Sequence, residues 1–302
     1  MPRTSAVEMK STSRCGKVET LQVTLSMHPC PHCKSHHIKK HGQFFRHHTR
    51  TWIKRSYCKT CHKTFSSRTQ APDRYQKKTK LNEIIARMLC EKNSMRGISR
   101  ILKISFSTVY RKFLYLSDLN SKPLVLSTGS SIWIDEMEDI EHTKLKPCTI
   151  AIAVDSNYKI LAATVGTLPA KGLIARISRK KYGLRANQSE LTMKKLMRTL
   201  KVSSKPQVMI CDKKSSYPRI FKEAFPDITV LTYQGKRNQE LENKYLAKKE
   251  FDPLFAVNQK SADLRDKINR LNRKSFCTTK KLENLQRHLN LRVAYENNRL
   301  AI

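Results

Sequence analysis

Cys30-Pro31-His32-Cys33 and Cys58-Lys59-Thr60-Cys61, with 24 residues between them, decide how the N-terminal region is read. Each pair makes a tight turn that aims two thiolates at one point, and the stretch between them returns the chain as a hairpin. Four thiolates converging in this way form the tetrahedral shell of a structural zinc site. Two disulfides would use the same cysteines, but nothing in Met1–Thr20 resembles the apolar core of an export signal. Cys15, Cys90, Cys148, Cys211 and Cys277 show no pairing pattern and read as reduced thiols. Eight of the ten histidines fall between positions 28 and 62, close to a metal shell that the four cysteines already complete. They read as partners for phosphate or solvent.

Working outward, residues 21–70 become a zinc-ribbon β domain behind a loose 1–20 segment, with Trp52 and Ile53 supplying strand character. Residues 1–80 carry 18 Lys+Arg against three acids, and the whole chain carries 60 against 24, a formal charge of +36. That excess repels itself without a polyanion, and double-stranded DNA is the expected partner. The basic residues are spread along the chain, and no stretch approaches a membrane span, so a membrane surface is the weaker match. A cytoplasmic, nucleoid-associated protein is expected.

From Lys78 to Leu119 the periodicity turns helical. Leu81, Ile84, Ile85 and Met88 form one apolar stripe, and Ser94 caps a short second helix carrying Ile98, Ile101 and Leu102. After the turn Lys103-Ile104-Ser105, Ser107 is expected to cap a third helix with Val109, Tyr110, Phe113 and Leu114. Helix, short helix, tight turn, helix is the order of a helix-turn-helix, here over 75–120. Ser107, Thr108, Arg111 and Lys112 are then the residues expected to face a DNA groove. A plain three-helix bundle is the alternative.

Ser121-Lys122-Pro123 and Gly129 mark a second boundary, and 128–302 read as a mixed α/β domain. Ile132-Trp133-Ile134-Asp135 and Val208-Met209-Ile210-Cys211-Asp212 are short apolar strands, each ending in an acid. Strands are also expected at Thr149–Val154, Ile160–Val165 and Ile228–Leu231, and helices near 186–200, 214–225, 259–273 and 279–296. Five of the 24 acids crowd into Asp135, Glu136, Glu138, Asp139 and Glu141, and bound Mg2+ is the simplest compensation in so basic a chain. If the two apolar strands are neighbours, Asp135 and Asp212 meet over one sheet edge and can share metal ions. An ordinary acidic loop and a helix cap are the other explanation. Asn258, Glu250 and Asp252 compete as third ligand; Asn258 and Arg265, seven residues apart, share one helix face, and Asn258 also suits an ordinary N-cap. No glycine-rich phosphate loop points to ATP.

Glu141-His142-Thr143-Lys144-Leu145-Lys146-Pro147, Leu168-Pro169-Ala170-Lys171-Gly172, Lys181-Tyr182-Gly183, Tyr217-Pro218 and Asp252-Pro253-Leu254-Phe255-Ala256-Val257-Asn258 accompany these features. So do Leu264-Arg265, Asn269-Arg270-Leu271 and Thr278-Thr279-Lys280-Lys281. Together with the ribbon, the helix-turn-helix and Ile134-Asp135-Glu136-Met137-Glu138, they resemble the transposases of bacterial insertion sequences. The resemblance implies an RNase H-like catalytic domain of the DDE type, in a branch with asparagine as third residue and a basic residue seven positions on. It implies Asp135, Asp212, Asn258 and Arg265 as catalytic positions, Mg2+ or Mn2+ as cofactor, and a homo-oligomer on transposon-end and target DNA. A DNA-binding regulator without chemistry and an RNase H-like nuclease or resolvase without a mobile element are the competing classes.

Overall fold

The computed structural model describes residues 29–47, 50–71, 73–74, 76–122, 131–203, 205–234, 252–272 and 277–302. The chain forms two compact units, Met1–Gln76 and Lys77–Ile302. Glu250, Cys15 and the 1–20 segment lie outside the described residues. Among the described residues, no helix is long and apolar enough to cross a membrane.

The first unit is a three-stranded antiparallel sheet, β1 (Ile38–Arg46), β2 (Thr51–Cys58) and β3 (Thr64–Ser66). The β1–β2 register slips between Lys40 and Gln43, at Gly42, whose φ of +69° suits a residue without Cβ. Its buried apolar side chains among the described residues are Ile53, Cys30 and Cys58. So thin a core cannot offset the chain entropy of folding, so the sheet needs a covalent or metal staple.

The second unit opens with α1 (Asn82–Cys90), α2 (Met95–Ile101) and α3 (Phe106–Leu119), packed around Ile85, Leu89, Ile98, Val109, Phe113 and Leu116. Ser94 caps α2 by accepting the Gly97 N–H. The cap of α3 is Ser105, which accepts from the Thr108 N–H at 3.3 Å; Ser107, expected there, lies inside the first turn. The Ile104-Ser105 stretch is extended up to the cap, so the helix begins two residues earlier than its apolar periodicity suggests.

A five-stranded mixed sheet follows, in the order β6-β5-β4-β7-β8. It is built from β4 (Ser131–Ile140), β5 (Pro147–Asp155), β6 (Ile160–Thr167), β7 (Val208–Asp212) and β8 (Thr229–Tyr233). The first three are antiparallel neighbours, whereas β7 runs parallel to β4 and β8 parallel to β7. Between β6 and β7 lie α4 (Ile174–Tyr182) and α5 (Ser189–Ser203), and α6 (Ser216–Ala224) joins β7 to β8. One face of the sheet packs on α5 and α6 through Ile132, Ile134, Met193, Leu196, Met209 and Phe221. The other is covered by α7 (Phe255–Lys267) and α8 (Leu282–Glu296) through Ile150, Ile152, Val257, Leu264, Leu285 and Leu289. With both faces covered, β5 reads as an unbroken apolar run.

β4 does not stop at Asp135. It pairs with β5 from Ile132↔Asp155 to Ile140↔Pro147, carrying four of the five clustered acids inside the strand, because β5 offers a backbone ladder along its whole length. α7 likewise starts at Phe255 rather than 259, so Asn258 lies in its first turn, with its N–H bonded to Leu254 O at 3.0 Å. Asn258 is therefore not the N-cap. α4 was not anticipated, because its apolar residues point outward.

The helical trio and the sheet share α8. Leu285 and Leu289 enter the sheet core while Leu291 enters the core of the trio. Here His288 is fully buried beside Phe113, ring centroids 5.8 Å apart, and its Nε2 is 2.8 Å from Leu89 O. Burial, then the charge of Arg270, pushes its pKa down to about 4. The unfolded chain takes up a proton near pH ~6.5, and the folded chain resists until about 4. Stability from this group is thus complete above pH ~6.5 and is lost as pH falls toward 4, on the order of 3 kcal/mol in all. Denaturant unfolding of the wild type is expected to show a stability roughly 2 kcal/mol lower at pH 5 than at 7.5 from this source. In His288→Asn the pH dependence should shrink by that amount, whatever its absolute stability.

Candidate functional site

The parallel pairing of β4 with β7 brings Ile134 opposite Cys211, so the next residues, Asp135 and Asp212, occupy neighbouring register positions. Ile134 and Cys211 belong to the core under α5 and α6. Alternation along a strand turns Asp135 and Asp212 to the opposite face, the one that carries α7. Each carboxylate accepts the N–H of the residue after it: Glu136 N to Asp135 Oδ1 and Lys213 N to Asp212 Oδ1, both at 2.7 Å. The Cys211 thiol, on the other face of the sheet, is pushed up to about 12, first by burial and then by the charges of Asp212 and Asp135. Burial also raises the Tyr217 hydroxyl, and Glu136, Asp135 and Asp212 add to it. Asp212 ends β7, and Asp135 lies beside it within β4, just past the last residue of β4 that pairs with β7, at the point where the strand order changes direction, which is where open α/β sheets place their ligands. The two carboxylates form a negative site able to attract a divalent cation.

α7 packs against β4 and β5. Its entry is pinned by Trp133, two residues before Asp135, whose Nε1–H donates to Pro253 O at 2.8 Å. Asn258 is exposed, and its Nδ2 donates to Asp252 Oδ2 at 3.2 Å. Two of the three candidate third ligands are therefore bonded to each other, beside the strand that carries Asp135. Arg265 is half-buried two turns further along α7.

Three other acids of the cluster, Glu136, Glu138 and Glu141, are met by groups of the chain. Glu136, its side chain only 10% exposed, accepts from Ser189 Oγ at 2.8 and 3.0 Å, Lys214 Nζ at 3.0 Å and Thr149 Oγ1 at 3.2 Å. Glu138 pairs with Lys171, and Glu141 with Lys146 and Arg185. Compensation of these three by cations of the chain corrects the expectation that the whole cluster needs metal. Glu136 also ties β4 to α5 and to the loop after Asp212, and so sets the height of both candidate ligands. Neither Lys214 nor Ser189 stood out in the sequence; the signal was Lys214, two residues beyond a strand-terminal acid.

In the first unit, the Sγ atoms of Cys30, Cys33, Cys58 and Cys61 all lie within 4.8 Å of one another. Cys30–Cys61 is 3.6 Å and Cys33–Cys58 is 3.5 Å. These are far beyond a disulfide bond and near the ~3.8 Å edge of a tetrahedron with ~2.3 Å metal–sulfur bonds. The two knuckles have the same backbone. Lys34 N bonds to Cys30 O and His62 N to Cys58 O, with Lys34 and His62 at φ 63° and 56°. The Cys58 thiol is pulled down to about 6, chiefly by the N–H groups of Cys61 and Thr60. Cys33 is held up at about 12 despite the Ser35 N–H, because partial desolvation and the neighbouring thiols of Cys58, Cys61 and Cys30 keep its proton. A thiol cluster that yields protons unevenly is what a divalent cation would complete.

On α3, Ser107 and Arg111 are exposed, and Thr108 is half-buried, its Oγ1 2.8 Å from Ser105 Oγ. Lys112 does not face a groove. It is 2% exposed, its Nζ bonded to Asn82 Oδ1 and to Lys77 O, and burial lowers its pKa. It fastens α3 to the start of α1 instead of reading DNA.

No family model matches the chain, and no curated protein matches it. Among solved structures it has a faint likeness to a chain of a simian T-cell lymphotropic virus intasome in complex with PP2A regulatory subunit B56 gamma. The identity is 13%, over 68% of this chain and 72% of that one, with a TM-score of 0.26. NurA with manganese is 14% identical over 43% of this chain and 32% of its own, with a TM-score of 0.14.

Proposed function

We propose that the protein is a DNA transposase of the insertion-sequence kind, cutting element ends and joining them to target DNA with divalent metal. The observation that carries this reading is the placement of Asp135 and Asp212 at neighbouring positions of adjacent parallel strands, on one face, in a chain of net charge +36. In this reading 128–302 is the RNase H-like catalytic domain, 75–120 the helix-turn-helix, with Ser107, Thr108 and Arg111 toward DNA, and 21–70 the zinc ribbon. Asp135 and Asp212 hold Mg2+ or Mn2+, Asn258 completes the shell from α7, and Arg265 grips a phosphate. When bound, the metal ions activate the attacking oxygen and neutralise the leaving one. The chain's own part is to position: Glu136 fixes the loop behind Asp212, and Trp133 fixes the helix that bears Asn258.

The test uses a duplex ending in the inverted repeats that flank the coding frame. Wild-type protein should nick it with Mg2+ or Mn2+ and stop in EDTA. Asn258→Glu, which adds a carboxylate, should tighten metal binding by about tenfold and keep cleavage. Binding of the repeats with no metal-dependent cleavage would favour the regulator; cleavage of any duplex with no preference for the repeats would favour the nuclease.

A further inference from the structure

α4 is held to the body by one stripe. Ser178 is buried, with its Oγ bonded to Leu145 O at 2.6 Å, and Ala175 and Tyr182 are half-buried beside it. Around the helix from that stripe come Arg179, Arg176 and Lys180, then Leu173, Ile177, Lys181 and Ile174, all exposed. Leu173 is 98% exposed, Ile177 57%, and Leu184 just beyond the helix 84%. α4 contains no acid. Lysines and arginines elsewhere in this unit commonly meet carboxylates, as Lys171, Lys146, Arg185, Lys194 and Arg219 do. Among the described residues, no ion pair involves Arg176, Arg179, Lys180 or Lys181.

The helix stands at the end of the sheet that carries the acids. It follows β6, whose last residue, Thr167, pairs with Cys148, and Cys148 pairs with Asp139 of β4. The pairs Lys171–Glu138 and Arg185–Glu141 bracket it against the C-terminal overhang of β4. From Asp135 to Glu141 is roughly 20 Å along the strand, the rise of about six base pairs. A duplex with a phosphate at Asp135 and Asp212 and its axis along β4 would pass α4.

We propose that α4 is a second DNA-binding surface, distinct from the helix-turn-helix, which grips the duplex flanking the cleaved phosphate. The inference rests on the DNA-processing reading above. Arg176, Arg179 and Lys180 take phosphates, and the adjoining Leu173 and Ile177 lie against the sugars and bases of a distorted step, as apolar wedges do at kinked DNA. A second copy of the chain is the rival occupant of the apolar sector. The unpaired cations favour DNA, because a like-charged copy would leave them facing one another.

The experiment compares full-length protein with the variant carrying Arg176→Gln, Arg179→Gln and Lys180→Gln, both in an Asp135→Asn background without divalent metal. Binding to a random duplex of about 40 base pairs is measured across a salt series. The triple variant should bind roughly tenfold or more weakly at 0.1 M salt, with the salt slope reduced by about two to three. Amide exchange over 173–182 should slow on adding the duplex. An unchanged slope and unprotected amides would overturn the proposal, as would a triple variant that loses self-association in sedimentation yet binds DNA normally. Metal-dependent cleavage by the protein with intact Asp135 is scored separately. The DNA-processing reading thus survives a failure of α4, and α4 survives a failure of cleavage.

Discussion

Asp135→Asn is expected to abolish strand cleavage, with a loss of at least about 10³-fold, while binding to the proposed element ends should stay the same or strengthen. In the proposed reading, losing one of the two carboxylates that would hold the metal removes several kcal/mol of transition-state stabilisation, and each ~1.4 kcal/mol is a factor of ten in rate. Binding holds because the substitution removes a negative charge from the path of a polyanion. The fold is expected to hold too. Asp135 is half-buried and shares its site with the like charge of Asp212, which also raises the Cys211 thiol, so an amide relieves repulsion. Single-turnover cleavage and an end-binding titration on the same preparation check it. Cleavage within tenfold of wild type would place the chemistry elsewhere. Reduced end binding at full thermal stability would show that Asp135 serves recognition.

Cys58→Ser is expected to unfold the first unit and leave the second folded. Among the described residues the first unit buries Ile53 and little else apolar besides two of its sulfurs, so a metal held by the four cysteines would be nearly its whole core. Structural zinc in comparable four-ligand sites supplies on the order of 10–16 kcal/mol of apparent free energy, far more than a sheet this small has to spare. The Lys77–Ile302 unit has three apolar clusters of its own and draws on none of these residues. Wild-type protein should contain one equivalent of zinc by atomic absorption. The variant should lose it, together with the dispersed amide resonances of residues 38–66. A variant retaining one equivalent would reassign the ligands. A chelated wild type that keeps the sheet intact would show that the cysteines staple nothing.

Some of this was legible without a structure because it is local. A Cys-x-x-Cys turn carries its own geometry, and two of them converge wherever the hairpin between them forms. Ser94 caps α2 because a serine before an apolar-periodic run has a nearby N–H to accept. Asp135 and Asp212 were found because a buried strand shows as an apolar run and an acid after it is conspicuous. Only the tertiary structure decided the rest. β4 runs on through four acids because β5 supplies a partner strand, and Glu136 and Glu138 within it and Glu141 just beyond it are tolerated because cations from other segments meet them. Lys112 looked like a DNA-facing cation until Asn82, thirty residues back, claimed its ammonium group. That the two acids share one face depends on which strands become parallel neighbours, and α4's outward apolar residues depend on what is left uncovered. Turns and caps are settled within a few residues, whereas pairing, burial and charge compensation are settled by whichever segments meet in space.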